Sequence, residues 1–204
     1  TGSQNFLLME RITQSLAGRT TVLHLLPFSR AELGARKGMP LDRVGLSIPR
    51  RKSTDEDLMK FLHTGFYPRI HDKGVPAQDW LRNYYQTYIE RDVRNVANIG
   101  DIEAFGRFVR LCAGRSGQLL NLSSLGADCG ISHTTAQRWL SILESSFIVH
   151  LLRPHFKNFS KRLIKSPKLY FIDTGLLCYL LRIRKESDLL AHALRGAIFE
   201  NYVV

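Results

Sequence analysis

The chain has 204 residues, 44% apolar and 23% charged, a globular composition that excludes a disordered, fibrous or membrane-spanning chain. Its three cysteines, Cys112, Cys129 and Cys178, are widely spaced and odd in number, which excludes a disulfide framework and favours the reducing cytoplasm. The net charge of +11 favours a polyanionic partner, nucleic acid before an anionic membrane.

The N-terminal part predicts a helix followed by a strand. Asn5 can cap a helix over residues 6–17, and residues 20–27 have the apolar character of a strand. A unit this short cannot cover its own apolar faces, so it needs a sheet that is not in the chain. We therefore expect residues 1–34 to be the remnant of a larger domain, and the chain to be an internal piece of a longer protein.

The next segments predict a connection. Residues 35–75 are expected to be a basic linker with one short helix, Asp55–Thr64, and a loop over Gly65–Val75. Pro76 suits the first position of a long connecting helix that fills residues 76–100 and carries a broad aromatic stripe.

A helix-turn-helix pattern follows. Leu119–Leu122 has the character of a short strand, Ser123 is placed to cap a helix through Cys129, and Gly130 marks a turn. Ser132 then caps a second helix, His133–Ser145. Two short helices joined by a glycine turn are typical of the unit that binds DNA.

The second helix directs a polar set of side chains outward. These are short donors and acceptors and one arginine: His133, Thr134, Thr135, Gln137 and Arg138. Such side chains suit phosphates and base edges, so we predict that they contact DNA.

A basic segment after this helix lies between two predicted strands, Phe147–Leu152 and Leu169–Ile172. Besides Arg153, its basic residues are Lys157, Lys161, Arg162, Lys165 and Lys168, with no acidic residue among them. Two strands joined by a basic loop form a wing, so residues 101–183 predict a winged helix that holds DNA chiefly through its phosphates. The expected fold class is α+β, mainly α with small β, with helices flanking this winged helix-turn-helix core.

Residues that would support catalysis are scarce. The chain has no G-x-x-x-x-G-K-[ST] loop, and its seven histidines lack metal-binding spacing. Asp173 follows a strand as a magnesium-holding residue can, but it is interpreted as the cap of the next helix. We expect no enzyme activity, no bound metal and no cofactor in this chain alone.

Six runs of sequence together resemble one family: TGSQNFLLMERITQSLAGRT, PFSRAEL, YYQTYIERDVRN, GQLLNLSSLGADCGISHTTAQRWLSILESSFIVHLL, NFSKRLIKSPKLYFIDTGLLCYLL and LRGAIFENYVV. They are similar to the prokaryotic AAA-type ATPases whose C-terminal half is the domain of unknown function 4143. The resemblance implies a cytoplasmic protein with a P-loop domain, a winged helix and a region distantly similar to PD-(D/E)XK nucleases. Residues 184–204 would be the start of that last region.

The same resemblance implies roles for four residues. Ser3 or Gln4 matches the polar sensor beside the γ-phosphate, and Arg19 matches a residue that stabilises charge during phosphoryl transfer, although a salt bridge explains Arg19 equally well. Glu200 matches the first acidic position of the nuclease-like core. ATP and magnesium are expected for the parent protein.

Three functions stay open from the sequence. The first is a C-terminal piece of an ATPase whose winged helix binds DNA or a partner protein. The second is a fragment of a nuclease-like enzyme that retains Glu200 as a ligand. The third is a protein-interaction arm of a defence or toxin–antitoxin-like ATPase that does not contact DNA.

Overall fold

The computed structural model describes residues 25–34, 55–87, 99–155 and 166–204. These residues are mainly helical with one small two-stranded sheet, which confirms the α+β class. The helices are α1 (Arg30–Leu33), α2 (Asp55–Thr64), α3 (Pro68–Lys73), α4 (Ala77–Tyr84), α5 (Ile102–Gly114), α6 (Leu122–Cys129), α7 (His133–Ser145), α8 (Thr174–Leu180), α9 (Glu186–Ala191) and α10 (Arg195–Val203). The strands β1 (Val149–Leu152) and β2 (Lys168–Phe171) pair antiparallel, with Val149 opposite Phe171.

Helix α7 has the predicted bounds, and the predicted cap is confirmed. Ser132 Oγ accepts a hydrogen bond of 3.1 Å from the Thr135 N–H. The cap predicted for α6 is wrong, because Asn121 Oδ1, not Ser123, accepts from the Ser124 N–H at 3.0 Å. The helix therefore begins at Leu122, and the strand predicted there is reduced to one bridge between Leu119 and Lys168.

Two glycines allow α6 and α7 to approach closely. Gly130 ends α6 in the left-handed region, with φ of 71°. A Cβ on Gly126 would lie 2.9 Å from the Ile131 carbonyl oxygen, a distance that real Cβ atoms do not show. The sequence thus places small residues where the turn and the helix crossing require them.

One hydrophobic core joins the described segments. Trp139 of α7 contacts the rings of Phe105 and Phe108 of α5 edge-on, with centroids 5.3 and 5.6 Å apart. The core continues through Leu62 of α2 and Leu177 of α8, which are both fully buried. Residues from the predicted linker therefore pack in the same core as α5 and α7.

The loop predicted over Gly65–Val75 is wrong, because it contains α3. Pro68 occupies the first turn of this helix, where its missing N–H costs nothing, and Ile70 is buried. Helix α2 has the predicted bounds. The predicted long helix begins at Ala77, and the structure describes it as far as residue 87; residues 85–87 have π-helical geometry.

Asp173 caps α8, as predicted. Its Oδ1 atom accepts from the Leu176 N–H at 2.8 Å. Its Oδ2 atom accepts from the Phe66 N–H at 2.6 Å, which joins the start of α8 to the segment after α2. Among the residues that the structure describes, no helix has both the length and the apolar character that crossing a bilayer requires.

Candidate nucleic-acid interface

Helix α7 separates an apolar face from a polar one. Its buried side chains are Ala136, Trp139, Leu140, Ile142 and Leu143. The opposite face exposes His133, Thr134, Gln137, Arg138 and Ser141. Four of the five side chains predicted to contact DNA therefore lie together on an accessible surface.

Thr135 does not join this group. It is partly buried, and its Oγ1 atom lies 2.9 Å from Ser132 Oγ. Since its N–H also donates to Ser132 Oγ, this residue belongs to the cap of α7. The sequence pattern alone did not show that the Thr135 side chain takes part in the cap instead of facing solvent.

The two strands carry the basic segment at their ends. Arg153 and His155 follow β1 and are exposed. Four of the basic residues predicted to bind DNA, Lys157, Lys161, Arg162 and Lys165, lie outside the described residues. Strand β1 also contacts α7.

Lys168 begins β2 and forms an ion pair with Glu200 of α10. The distance from Lys168 Nζ to Glu200 Oε1 is 2.7 Å, and the Tyr170 hydroxyl donates to the same oxygen at 2.6 Å. The hydrogen bond from Lys168, followed by that from Tyr170, lowers the pKa of Glu200, while the bond to Glu200 raises the pKa of Lys168. Thus the lysine predicted to bind DNA and the acid predicted to belong to a nuclease-like core neutralise each other.

These contacts do not fit a magnesium site at Glu200. One oxygen of its carboxylate is occupied by an ammonium and a hydroxyl, both hydrogen-bond donors. Within the described parts of the chain, no three His, Cys, Asp or Glu residues come together as metal ligands could.

The cysteines are also unsuited to chemistry. All three are buried and unpaired, and burial raises the pKa of the Cys178 thiol to about 12. The pKa values of Cys112 and Cys129 are raised for the same reason. Because only the thiolate is a good nucleophile, these residues serve as small core side chains.

The sequence did not indicate the role of Asn201. Its buried amide donates to the Phe171 carbonyl oxygen at 2.8 Å and accepts from the Phe171 N–H at 2.7 Å. Ser116 Oγ donates to the same amide oxygen at 2.8 Å. Asparagine within a helix gives no signal of such a distant contact.

The residues predicted to act in phosphoryl transfer, Ser3, Gln4 and Arg19, lie outside the described residues.

Residues 55–187 match the family described as a domain of unknown function, DUF8612, and the chain belongs to this family. The chain is 34% identical over all its 204 residues to the uncharacterized protein Rv2008c of Mycobacterium tuberculosis and, equally, to the uncharacterized protein Mb2031c of Mycobacterium bovis. It spans 42% of the length of each of these relatives. No solved structure matches the chain.

Proposed function

We propose that this member of the DUF8612 family contains a winged helix that binds duplex nucleic acid through its phosphates. The observation that carries the proposal is the order and crossing of the elements. Helix α6 turns through Gly130 into α7, whose polar face is exposed, and β1 and β2 follow directly with the basic segment between them. The bridge between Leu119 and Lys168 lies where this architecture has a further strand before α6, which supports the proposal.

Binding would be directed to the backbone rather than to base sequence. The exposed face of α7 carries one arginine, Arg138, and short polar side chains, so it offers few strong base contacts. The cations lie instead between the strands. Since Lys168 is paired with Glu200, five basic residues remain over residues 153–165. If all five contact phosphates, the slope of log affinity against log salt is about −4.5.

The test is the anisotropy of a fluorescent 20-base-pair duplex, titrated with the protein at several salt concentrations. The substitutions Lys161→Gln and Arg162→Gln together should reduce the slope by about 2, because two phosphate contacts are removed. A matched control, Lys60→Gln with Arg69→Gln, removes the same charge from exposed positions on α2 and α3 and should leave the slope unchanged.

Two outcomes would overturn the proposal. One is the absence of duplex binding at 50 mM salt, which would favour a protein-interaction arm. The other is a slope that the substitutions in the basic segment and the control pair change equally, since that would show an effect of net charge alone.

The wider assignment is that the chain is part of an AAA-type ATPase. It rests on the resemblance of Ser3, Gln4 and Arg19 to phosphoryl-transfer residues. ATP and magnesium would then bind residues of the parent protein other than those described. The assignment requires a G-x-x-x-x-G-K-[ST] loop and magnesium-dependent ATP hydrolysis in the parent, and hydrolysis should fall when the lysine of that loop is replaced by alanine. A parent protein without that loop would overturn it.

A further inference from the structure

A cleft on another side of the molecule is lined by four arginines. It lies between α4, the later part of α5 and the segment after α8, and its volume is about 530 Å³. Arg82, Arg110, Arg182 and Arg184 line it with Gln78 and Tyr179. None of the described residues that line the cleft is acidic.

The arginines bring a local excess of positive charge. Arg82 is paired with Asp79, at 3.4 Å between Nη1 and Oδ1. No carboxylate of the described residues forms an ion pair with Arg110, Arg182 or Arg184. Guanidinium groups gathered around one concavity repel one another, so a bound anion would lower the energy of the arrangement.

The backbone at Arg182 is strained. Its φ is 59°, in the left-handed region that favours glycine. Its N–H donates to the Tyr179 carbonyl oxygen, and the Ile183 N–H donates to the Cys178 carbonyl oxygen, each at 3.0 Å. These two bonds form the helix-ending motif in which glycine is usual at this position. An arginine here costs stability, and such strain is often associated with function.

The segment that presents the arginines is held firmly. Ile183 is buried between the exposed Arg182 and Arg184. The buried His63 donates from Nε2 to the Ile183 carbonyl oxygen at 3.1 Å. The backbone that carries these two arginines is therefore fixed from the core side.

We propose that this cleft binds the diphosphate group of a small molecule. Guanidinium groups form paired hydrogen bonds with phosphate oxygens, and three arginines that pair with no carboxylate of the described residues match the charge of a diphosphate at neutral pH. Two sources share this chemistry, inorganic pyrophosphate and a nucleoside diphosphate. The site is separate from the proposed duplex interface. Phe108 of α5 faces α7, whereas Arg110, two residues further along the same helix, points to another side of α5.

Calorimetric titration of the intact chain with inorganic pyrophosphate, at fixed ionic strength, tests the proposal. Replacing Arg110 and Arg184 together by glutamine should weaken binding about 100-fold, tenfold for each charged hydrogen-bonding group removed. A control that removes one charge from the same helix as Arg110 is Arg107→Gln, since Arg107 is paired with Glu103 and does not line the cleft. It should change the affinity less than twofold.

ADP and sulfate distinguish the sources and the specificity. Tighter binding of ADP than of pyrophosphate assigns the site to a nucleoside diphosphate, and tighter binding of pyrophosphate assigns it to the inorganic ion. Arg182→Gly gives an independent readout, because it removes a cation and the backbone strain together. We expect this variant to melt at a higher temperature than the natural chain and to bind pyrophosphate about tenfold more weakly.

The proposal is overturned if pyrophosphate does not bind at millimolar concentration. It is also overturned if sulfate binds as tightly as pyrophosphate, or if Arg107→Gln weakens binding as much as the double substitution. Each of these results would show a general attraction of anions to a basic protein. An Arg182→Gly variant that binds pyrophosphate with full affinity would contradict the proposed role of Arg182 in binding.

Discussion

The Phe66 N–H donates a buried hydrogen bond of 2.6 Å to Asp173 Oδ2, across 107 positions of sequence. Asp173 also accepts from Leu176 and so caps α8. The carboxylate therefore fixes the start of α8 against the turn that follows α2. Gly65, next to Phe66, provides the space for it, because a Cβ at Gly65 would overlap Asp173 Oδ1.

Gly65→Ala should therefore destabilise the protein strongly. The residue has a φ of 77°, and an added Cβ would overlap the Asp173 carboxylate and lie 2.9 Å from Gly175 Cα. We expect a loss of about 3 kcal/mol or more in the free energy of unfolding, from backbone strain and overlap together. Gly74→Ala is the matched control, since Gly74 has a φ of 59° but open space around it, and should lose only about 1 kcal/mol. Urea unfolding measures both, and equal losses would contradict the role of Asp173.

Asp173 should make stability depend on pH in an unusual direction. Burial raises the pKa of its carboxyl group from 3.8 to about 6, although the hydrogen bonds from Phe66 and Leu176 and the nearby His71 oppose the shift. Between these values the folded protein holds a proton that the unfolded chain has released. The contribution of Asp173 to stability is therefore largest below about pH 4 and falls as pH rises to about 6.

Urea unfolding of the natural chain and of Asp173→Asn, at several values between pH 4 and pH 7, isolates this contribution. The difference in unfolding free energy between the two proteins should shrink as pH rises. A difference that grows with pH would mean that the folded-state pKa lies below 3.8.

Asn201→Ala should cost about 2–4 kcal/mol of unfolding free energy. The substitution leaves the Phe171 N–H, the Phe171 carbonyl and Ser116 Oγ buried without the partner that Asn201 provides. Asn83→Ala, on the exposed side of α4, is the control and should change stability by less than about 0.5 kcal/mol. A small effect at Asn201 would show that water replaces the amide there.

Arg182→Gly should stabilise the chain by about 1 kcal/mol. Glycine adopts the left-handed conformation without strain and is the usual residue at this point of the helix-ending motif. Arg184→Gly is the control, because Arg184 does not have a positive φ, and it should destabilise by a few tenths of a kcal/mol or more. Thermal unfolding distinguishes the two, and a loss of stability at Arg182→Gly would show that its side chain packs favourably.

Local signals were sufficient for the helices that have clear side-chain caps. Ser132 and Asp173 each cap the helix that the sequence predicts after them, because a cap acts within three residues. The start of α6 was ambiguous, since Asn121 and Ser123 can both cap a helix. Tertiary pairing decides it: the Leu120 N–H donates to the Pro167 carbonyl oxygen at 2.8 Å, so the chain is extended up to Asn121 and turns into helix there.

Contacts between distant residues could not be predicted. Lys168 and Glu200 are 32 residues apart, and each was assigned a separate function because nothing local indicates that they meet. The arginines of the cleft extend from Arg82 to Arg184, and only the packing of α4, α5 and α8 brings them together. The composition establishes the positive net charge of the chain, but it cannot show which lysine and arginine side chains form ion pairs in the fold.

The side chain of Asn201 also changes where the folding unit ends. The sequence range shared by the family stops at residue 187, but the outer edge of β2 is completed by an amide from residue 201. A polypeptide cut to the family range would keep every element from α2 to α8 and still expose the peptide group of Phe171. In such a shortened chain Gly117 and Gln118 would still pair with Leu169, but the peptide group of Phe171 would lose both of its hydrogen bonds, so a lower unfolding free energy is the expected result. Helix α10 therefore belongs to the same cooperative unit as β2 in this chain.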